Sequence, residues 1–197
     1  MTAVLALISV HAARAQTANL PTSIFLESKQ NSARLNDQSV DLDLQGISIG
    51  ISTSPYRHGL WAALDVLRDD SEDFNYAEAR FGGHLNFINQ NNLYLIGTLG
   101  VGFANARSSQ LYNDVQFFTL PVGLVAGYSV MPQLSFYAGV GYKWQFEVTP
   151  NTTCNDGTSS NSVGSGTCSH HHGIYSYNDQ VGDAEGMEYK LGLRYNF

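Results

Sequence analysis

The stretch GMEYKLGLRYNF, residues 186–197, decides the fold class. Met187, Tyr189, Leu191, Leu193, Tyr195 and Phe197 alternate without a miss with Glu188, Lys190, Gly192, Arg194 and Asn196. A period of two is a β-strand with one apolar and one polar face.

The same alternation continues towards the N-terminus. Leu134, Phe136, Ala138, Val140, Tyr142, Trp144, Phe146 and Val148 share a face, and Ser135, Tyr137, Gly139, Gly141, Lys143, Gln145 and Glu147 share the other. Further apolar faces run from Phe118 to Tyr128, Leu93 to Phe103, Ala77 to Phe87, Leu60 to Val66 and Ile47 to Ile51. TSIFLESK, residues 22–29, is the least regular and is the first strand. The reading is an all-β chain of eight antiparallel strands. Val40, Leu42 and Leu44 are out of phase with Ile47 and Ile49, which predicts a bulge near Gly46. Pro121 cannot donate to a ladder and predicts a second bulge or bend. Three connections are short, around Pro55, residues 89–92 and Met131-Pro132. Four lie at the other end, near residues 30–39, 69–73, 105–113 and 149–185, the last long, polar and rich in Gly, Ser and Asn.

The bulk composition narrows the class. Only 14% of the 197 residues are charged, whereas soluble domains carry roughly 25%. No apolar run is long enough for a membrane helix. A net charge of -7 argues against nucleic acid as a partner. Residues 1–15 read as an export signal, with an apolar stretch from Ala3 to Val10 and a small-x-small site at Ala13-Arg14-Ala15, leaving 16–197 as the barrel. A short buried N-terminal helix is the other reading of that segment. Cys154 and Cys168 are the only cysteines, and export to an oxidising compartment predicts that they pair rather than stay free.

Alternation alone leaves open which face points inward, because soluble ligand-binding barrels are apolar inside. Three features favour the inverted arrangement. Charges are too few to coat a soluble exterior. Glycines crowd the polar face at Gly100, Gly102, Gly123, Gly139 and Gly141. That face also carries matched charges, Asp65, Glu78, Glu147 and Glu188 against Arg80, Lys143, Lys190 and Arg194, as an interior ion-pair network requires. Turning the last strand over would put Lys190 and Arg194 into lipid at roughly 2–4 kcal/mol each near the midplane. The expectation is therefore an eight-stranded transmembrane up-and-down β-barrel.

On these residues the chain resembles the small eight-stranded outer-membrane β-barrels of Gram-negative bacteria, the group of OmpX, Ail, NspA and the OmpA membrane domain. The resemblance implies the cell outer membrane, surrounding lipid and lipopolysaccharide, and a monomer. Its sharpest element is the terminal YKLGLRYNF. Tyr189, Leu191, Leu193, Tyr195 and Phe197 are similar to the signal such barrels present to the barrel-assembly machinery.

No enzymatic site is expected. Some eight-stranded barrels modify lipid A, but His58 lies beside a short turn and His84 faces the interior. His170-His171-His172 reads as a solvated loop rather than a metal site, since adjacent histidines lack i, i+4 geometry, and no cofactor is expected. An eight-stranded interior is just wide enough for side chains, which favours a plugged barrel over a narrow channel. The expected function is a surface structural or interaction role of the adhesin or envelope-integrity kind. Residues 149–185 carry it, with Tyr175 and Tyr177 as contacts to an extracellular or host surface ligand.

Overall fold

The structure is a computed structural model and describes residues 20–35, 41–109, 111, 113–164 and 166–197. The expected leader and Val40 lie outside the described residues.

Eight strands close a barrel: β1 (Thr22–Leu35), β2 (Asp41–Thr53), β3 (Gly59–Asp69), β4 (Phe74–Gln90), β5 (Leu93–Ser108), β6 (Val115–Ser129), β7 (Leu134–Glu147) and β11 (Ala184–Asn196). Each pairs antiparallel with its neighbours, and β11 closes on β1 through Tyr195 opposite Ile24. Three short strands, β8 (Thr152–Cys154), β9 (Ser159–Ser160) and β10 (Ile174–Tyr177), form a separate sheet within the last connection.

The belt around the barrel is apolar and uncovered. Ile47, Ile49, Leu60, Leu64, Phe81 and Leu191 are between 59% and 70% exposed. A water-soluble chain does not leave a contiguous surface of this kind bare. The hydrocarbon of a bilayer is the medium that fits it, because a closed barrel satisfies every strand edge internally.

Above the belt the polarity inverts. Gln30, Ser32, Arg34, Asp43, Gln45, Arg68, Asn75 and Arg107 point outward, while Leu35, Leu42, Leu44, Leu67, Phe74, Tyr76, Val115 and Phe117 are buried inside. This corrects the bulge expected near Gly46. Both ladders of β2 run through Gly46 without a register shift. Leu42 and Leu44 are in phase with the interior and belong to strand outside the membrane, where water is the outer solvent. Gly46 has a different reason to be glycine: a Cβ there would lie 2.1 Å from the Val66 carbonyl oxygen. Two of the outer connections, the first and the third, are shorter than expected for the same reason, since β1 continues to Leu35 and β5 to Ser108.

Pro121 also departs from expectation. The β5–β6 ladder lapses between the pairs Leu99–Val122 and Gly102–Thr119, but the register on both sides is the same, so Pro121 makes a gap and not a bulge. The bulge that does occur is at Phe87, between Asn86 and Ile88. It sits four residues before the Asn91-Asn92 turn, whose φ angles of 50° and 66° suit a two-residue hairpin.

Candidate functional site

The lumen holds a stack of charges between two closures. Arg80 of β4 donates from Nη2 to Asp65 Oδ1 on β3 at 3.0 Å, and its Nε lies 2.9 Å from Oδ2. Lys29 on β1 bonds Asp65 and lies 2.7 Å from Glu188 of β11. Arg80 Nη1 reaches Glu188 at 3.4 Å. One level outward, Lys143 Nζ donates to Glu78 at 2.9 Å and to the Tyr76 hydroxyl at 3.1 Å, and the Thr119 hydroxyl donates to Glu78. The space is tight: a Cβ on Gly102 would meet Thr119 Oγ1 at 2.6 Å and Glu78 Oε1 at 2.8 Å. These charges are fully desolvated, and mutual pairing is what makes their burial tolerable.

Towards the short turns the chemistry changes from ion pairs to aromatic faces. Arg194 lies over the rings of Tyr137, Phe25 and Tyr94, at 5.2, 5.5 and 5.8 Å. Tyr137 donates to Glu27 at 2.9 Å. Lys190 stands 3.9 Å from both Glu27 and Glu188. The mouth is closed by the β2–β3 turn. Tyr56 folds inward edge-on to Tyr94, bonds the Asn92 carbonyl at 2.9 Å and meets the Ser129 hydroxyl. Asn86 and Asn89 hold the turn by donating to the carbonyls of Pro55 and Tyr56. His84 Nε2 is 3.0 Å from the Arg57 carbonyl, and His58 accepts from the Asn86 amide.

Of the charges assigned to the interior from sequence, Asp65, Glu78, Arg80, Lys143 and Glu188 meet in one cluster. Lys190 sits at its edge and Arg194 among the aromatics. Glu147 is elsewhere. It accepts from the amides of Val181 and Gly182 at the neck of the last connection. Lys29 and Glu27 escaped the sequence reading because β1 turns Phe25 inward and Ser28 outward, which blurs its alternation.

The last connection is a small folded module. Cys154 and Cys168 are joined, with Cα atoms 5.5 Å apart. β8 pairs with β9 on one side and β10 on the other. Asp156 accepts from the amide and hydroxyl of Thr158 at 3.0 and 2.7 Å and lies 2.7 Å from His171 Nδ1. The Thr158 bonds first, and His171 after them, hold its carboxyl well below the usual carboxylate range. The module's two strands of chain meet at a neck, where the Asn178 amide donates to the Asn151 carbonyl at 2.9 Å. Tyr175 and Tyr177, 75% and 57% exposed, project from β10.

Among solved structures, Neisserial surface protein A (NspA) superposes with a TM-score of 0.56 at 14% identity, over 89% of this chain and 97% of that one. The architecture is that of the small eight-stranded outer-membrane β-barrels. The location that goes with it is the cell outer membrane. Ail of Yersinia pestis (TM-score 0.49, 14% identity) and the N-terminal barrel domain of Pseudomonas aeruginosa OprF (0.48, 15%) also align, each over 89% of this chain and 97% of theirs. No curated protein matches the sequence. Residues 149–177 match a family described as a domain of unknown function, DUF3761. That span covers β8 to β10 and both cysteines and stops at the neck, so the match isolates the module from the barrel.

Proposed function

We propose that the protein is a surface-interaction protein of the outer membrane, of the adhesin or envelope-integrity kind. The barrel is its sealed, monomeric anchor and the bridged module its recognition element. Tyr189, Leu191, Leu193, Tyr195 and Phe197 serve the assembly machinery, and the belt contacts lipid and lipopolysaccharide.

The observation that carries this reading is where space and exposed chemistry lie. The lumenal cavity lined by Glu27, Trp61, Arg80, His84, Pro121 and Arg194 is about 30 Å³, room for about two waters. That supports an anchor over a channel. His84 is held by backbone carbonyls, which supports a packing role over a catalytic one. Among the described residues, the exposed aromatics outside the lipid belt are instead Tyr175 and Tyr177 of the module, and tyrosine is a favoured contact residue at interfaces. The disulfide restrains the module before contact, which lowers the ordering cost of binding.

The test is to remove Thr152–Tyr177 and join Asn151 to Asn178 through two glycines. The neck already brings these residues together, and Glu147, Val181 and the outer core stay intact. The expected result is a folded, heat-modifiable barrel at the cell surface and loss of the attachment that wild-type protein confers on cells. Full attachment by the shortened protein would refute the reading.

A further inference from the structure

We infer that the module's partner is a cationic protein segment, docked on the free edge of β10 between its tyrosines and an acidic rim. The inference rests on the recognition role proposed above and adds the chemistry of the partner.

Its first support is the distribution of charge along the barrel axis. Of the 17 acidic side chains, Glu27, Asp65, Glu78 and Glu188 are inside the membrane-level lumen and Asp37 lies outside the described residues. The other twelve are all at the module end. Of the ten basic side chains, Lys29, Arg80, Lys143, Lys190 and Arg194 are in the lumen, Arg57 is at the short-turn end and Arg14 is outside the described residues. Only Arg34, Arg68 and Arg107 remain at the module end. Two of these are already matched, Arg68 by Asp70 at 2.7 Å and Arg107 by Asp114 at 2.6 Å. The interior is thus nearly neutral, and the net charge of the chain resides on the face turned to the outside. A field of one sign steers partners of the other and repels polyanions.

The second support is independent of charge. β10 is an outer strand of its sheet, paired only with β8. Ile174–Tyr177 carries neither a charge nor a proline, the usual protections of an exposed edge. The register slips between Ile174 and Ser176, which makes Tyr175 the extra residue of a bulge and turns it outward. Exposed tyrosine faces attract lysine and arginine through the ring quadrupole. An extended basic segment satisfies both features, its cations over the rings and towards the carboxylates.

Binding to the full-length protein in nanodiscs, with a Lys/Ser repeat peptide as probe and heparin as the polyanion, tests this. Wild type should bind the peptide in a salt-sensitive way and prefer it to heparin. Y175S/Y177S leaves the charge unchanged and should weaken peptide binding about tenfold, the order expected for two cation–π contacts. D41N/D70N/E72Q should weaken it and flatten the salt dependence. Peptide binding indifferent to the tyrosines would reduce the rim to a generic polyanion and overturn the proposal, as would preference for heparin. If the peptide does not bind while loss of Thr152–Tyr177 still abolishes cell attachment, the partner class is wrong and the recognition role stands.

Discussion

The two halves of this barrel bury opposite chemistry with the same strands. At membrane level, β2 turns Ser48 and Ser52 inward and Ile47 and Ile49 outward; a few residues earlier it turns Leu44 inward and Gln45 outward. The backbone does not change phase between them. What changes is the solvent outside: lipid below, water above. Each half therefore excludes its own surroundings, the lower lumen holding the paired charges, with aromatic rings around Arg194 towards the short turns, and the upper filling with leucine and aromatic side chains. A strand's apolar face is a statement about its medium before it is a statement about its interior.

The sharpest way to break this contrast is to unpair the lower half. Arg80→Ala leaves Asp65 and Glu188 buried with one cation fewer, and about 3–5 kcal/mol of barrel stability should be lost. Urea titration followed by the heat-modifiable gel shift measures it. The upper half should respond to lost volume instead. Leu44→Ala should cost about 2–5 kcal/mol in the same assay, whereas Ile49→Ala, on the lipid face of the same strand, should cost markedly less because lipid refills the space. Equal effects at the two positions would mean that β2 has no polarity switch.

A third change separates the module from both halves. Replacing Cys154 and Cys168 by serine should release roughly 3 kcal/mol of restraint on a loop of this length in the chain-entropy model. The loss should appear as protease cleavage between residues 155 and 173, with the barrel's urea midpoint unchanged. The smallest effect concerns pH. The Asp156 carboxyl is held below its ordinary value by Thr158 and His171. Its contribution is therefore full at neutral pH and fades as pH falls below about 4, where an unfolded aspartate takes up its proton. NMR titration of Asp156 should show the depressed midpoint, and Thr158→Val should raise it. Asp69, at the β3–β4 hairpin, follows the same rule. Burial pulls its carboxyl up, but hydrogen bonds from Ser71, Asp43 and Glu72 win and hold it below the usual range.

The parts of this architecture that repeat were legible in the sequence. Period-two alternation from Leu60 to Phe197 places the outward belt residue by residue, and the few charges on the other face imply a paired lumen. Two kinds of information were not legible. A sequence pattern does not carry the membrane boundary, so Leu42 and Leu44 read as a slipped strand when they are core residues of the watery half. Nor does it carry which lumenal groups meet, so Glu147 was grouped with Glu78 although it braces the neck, and Lys29 was passed over in an irregular strand. The Tyr56 closure lies in a turn, where there is no periodicity to read; Pro55 marked the turn but not its direction.

Both halves, despite opposite chemistry, close the same lumen, and Tyr56 closes its short-turn end. The measurement that tests this most directly is single-channel recording of the purified wild-type protein in planar bilayers. A sealed anchor predicts no steady conductance at moderate voltage. Large, stable single-channel currents would contradict it and return the barrel to the class of channels.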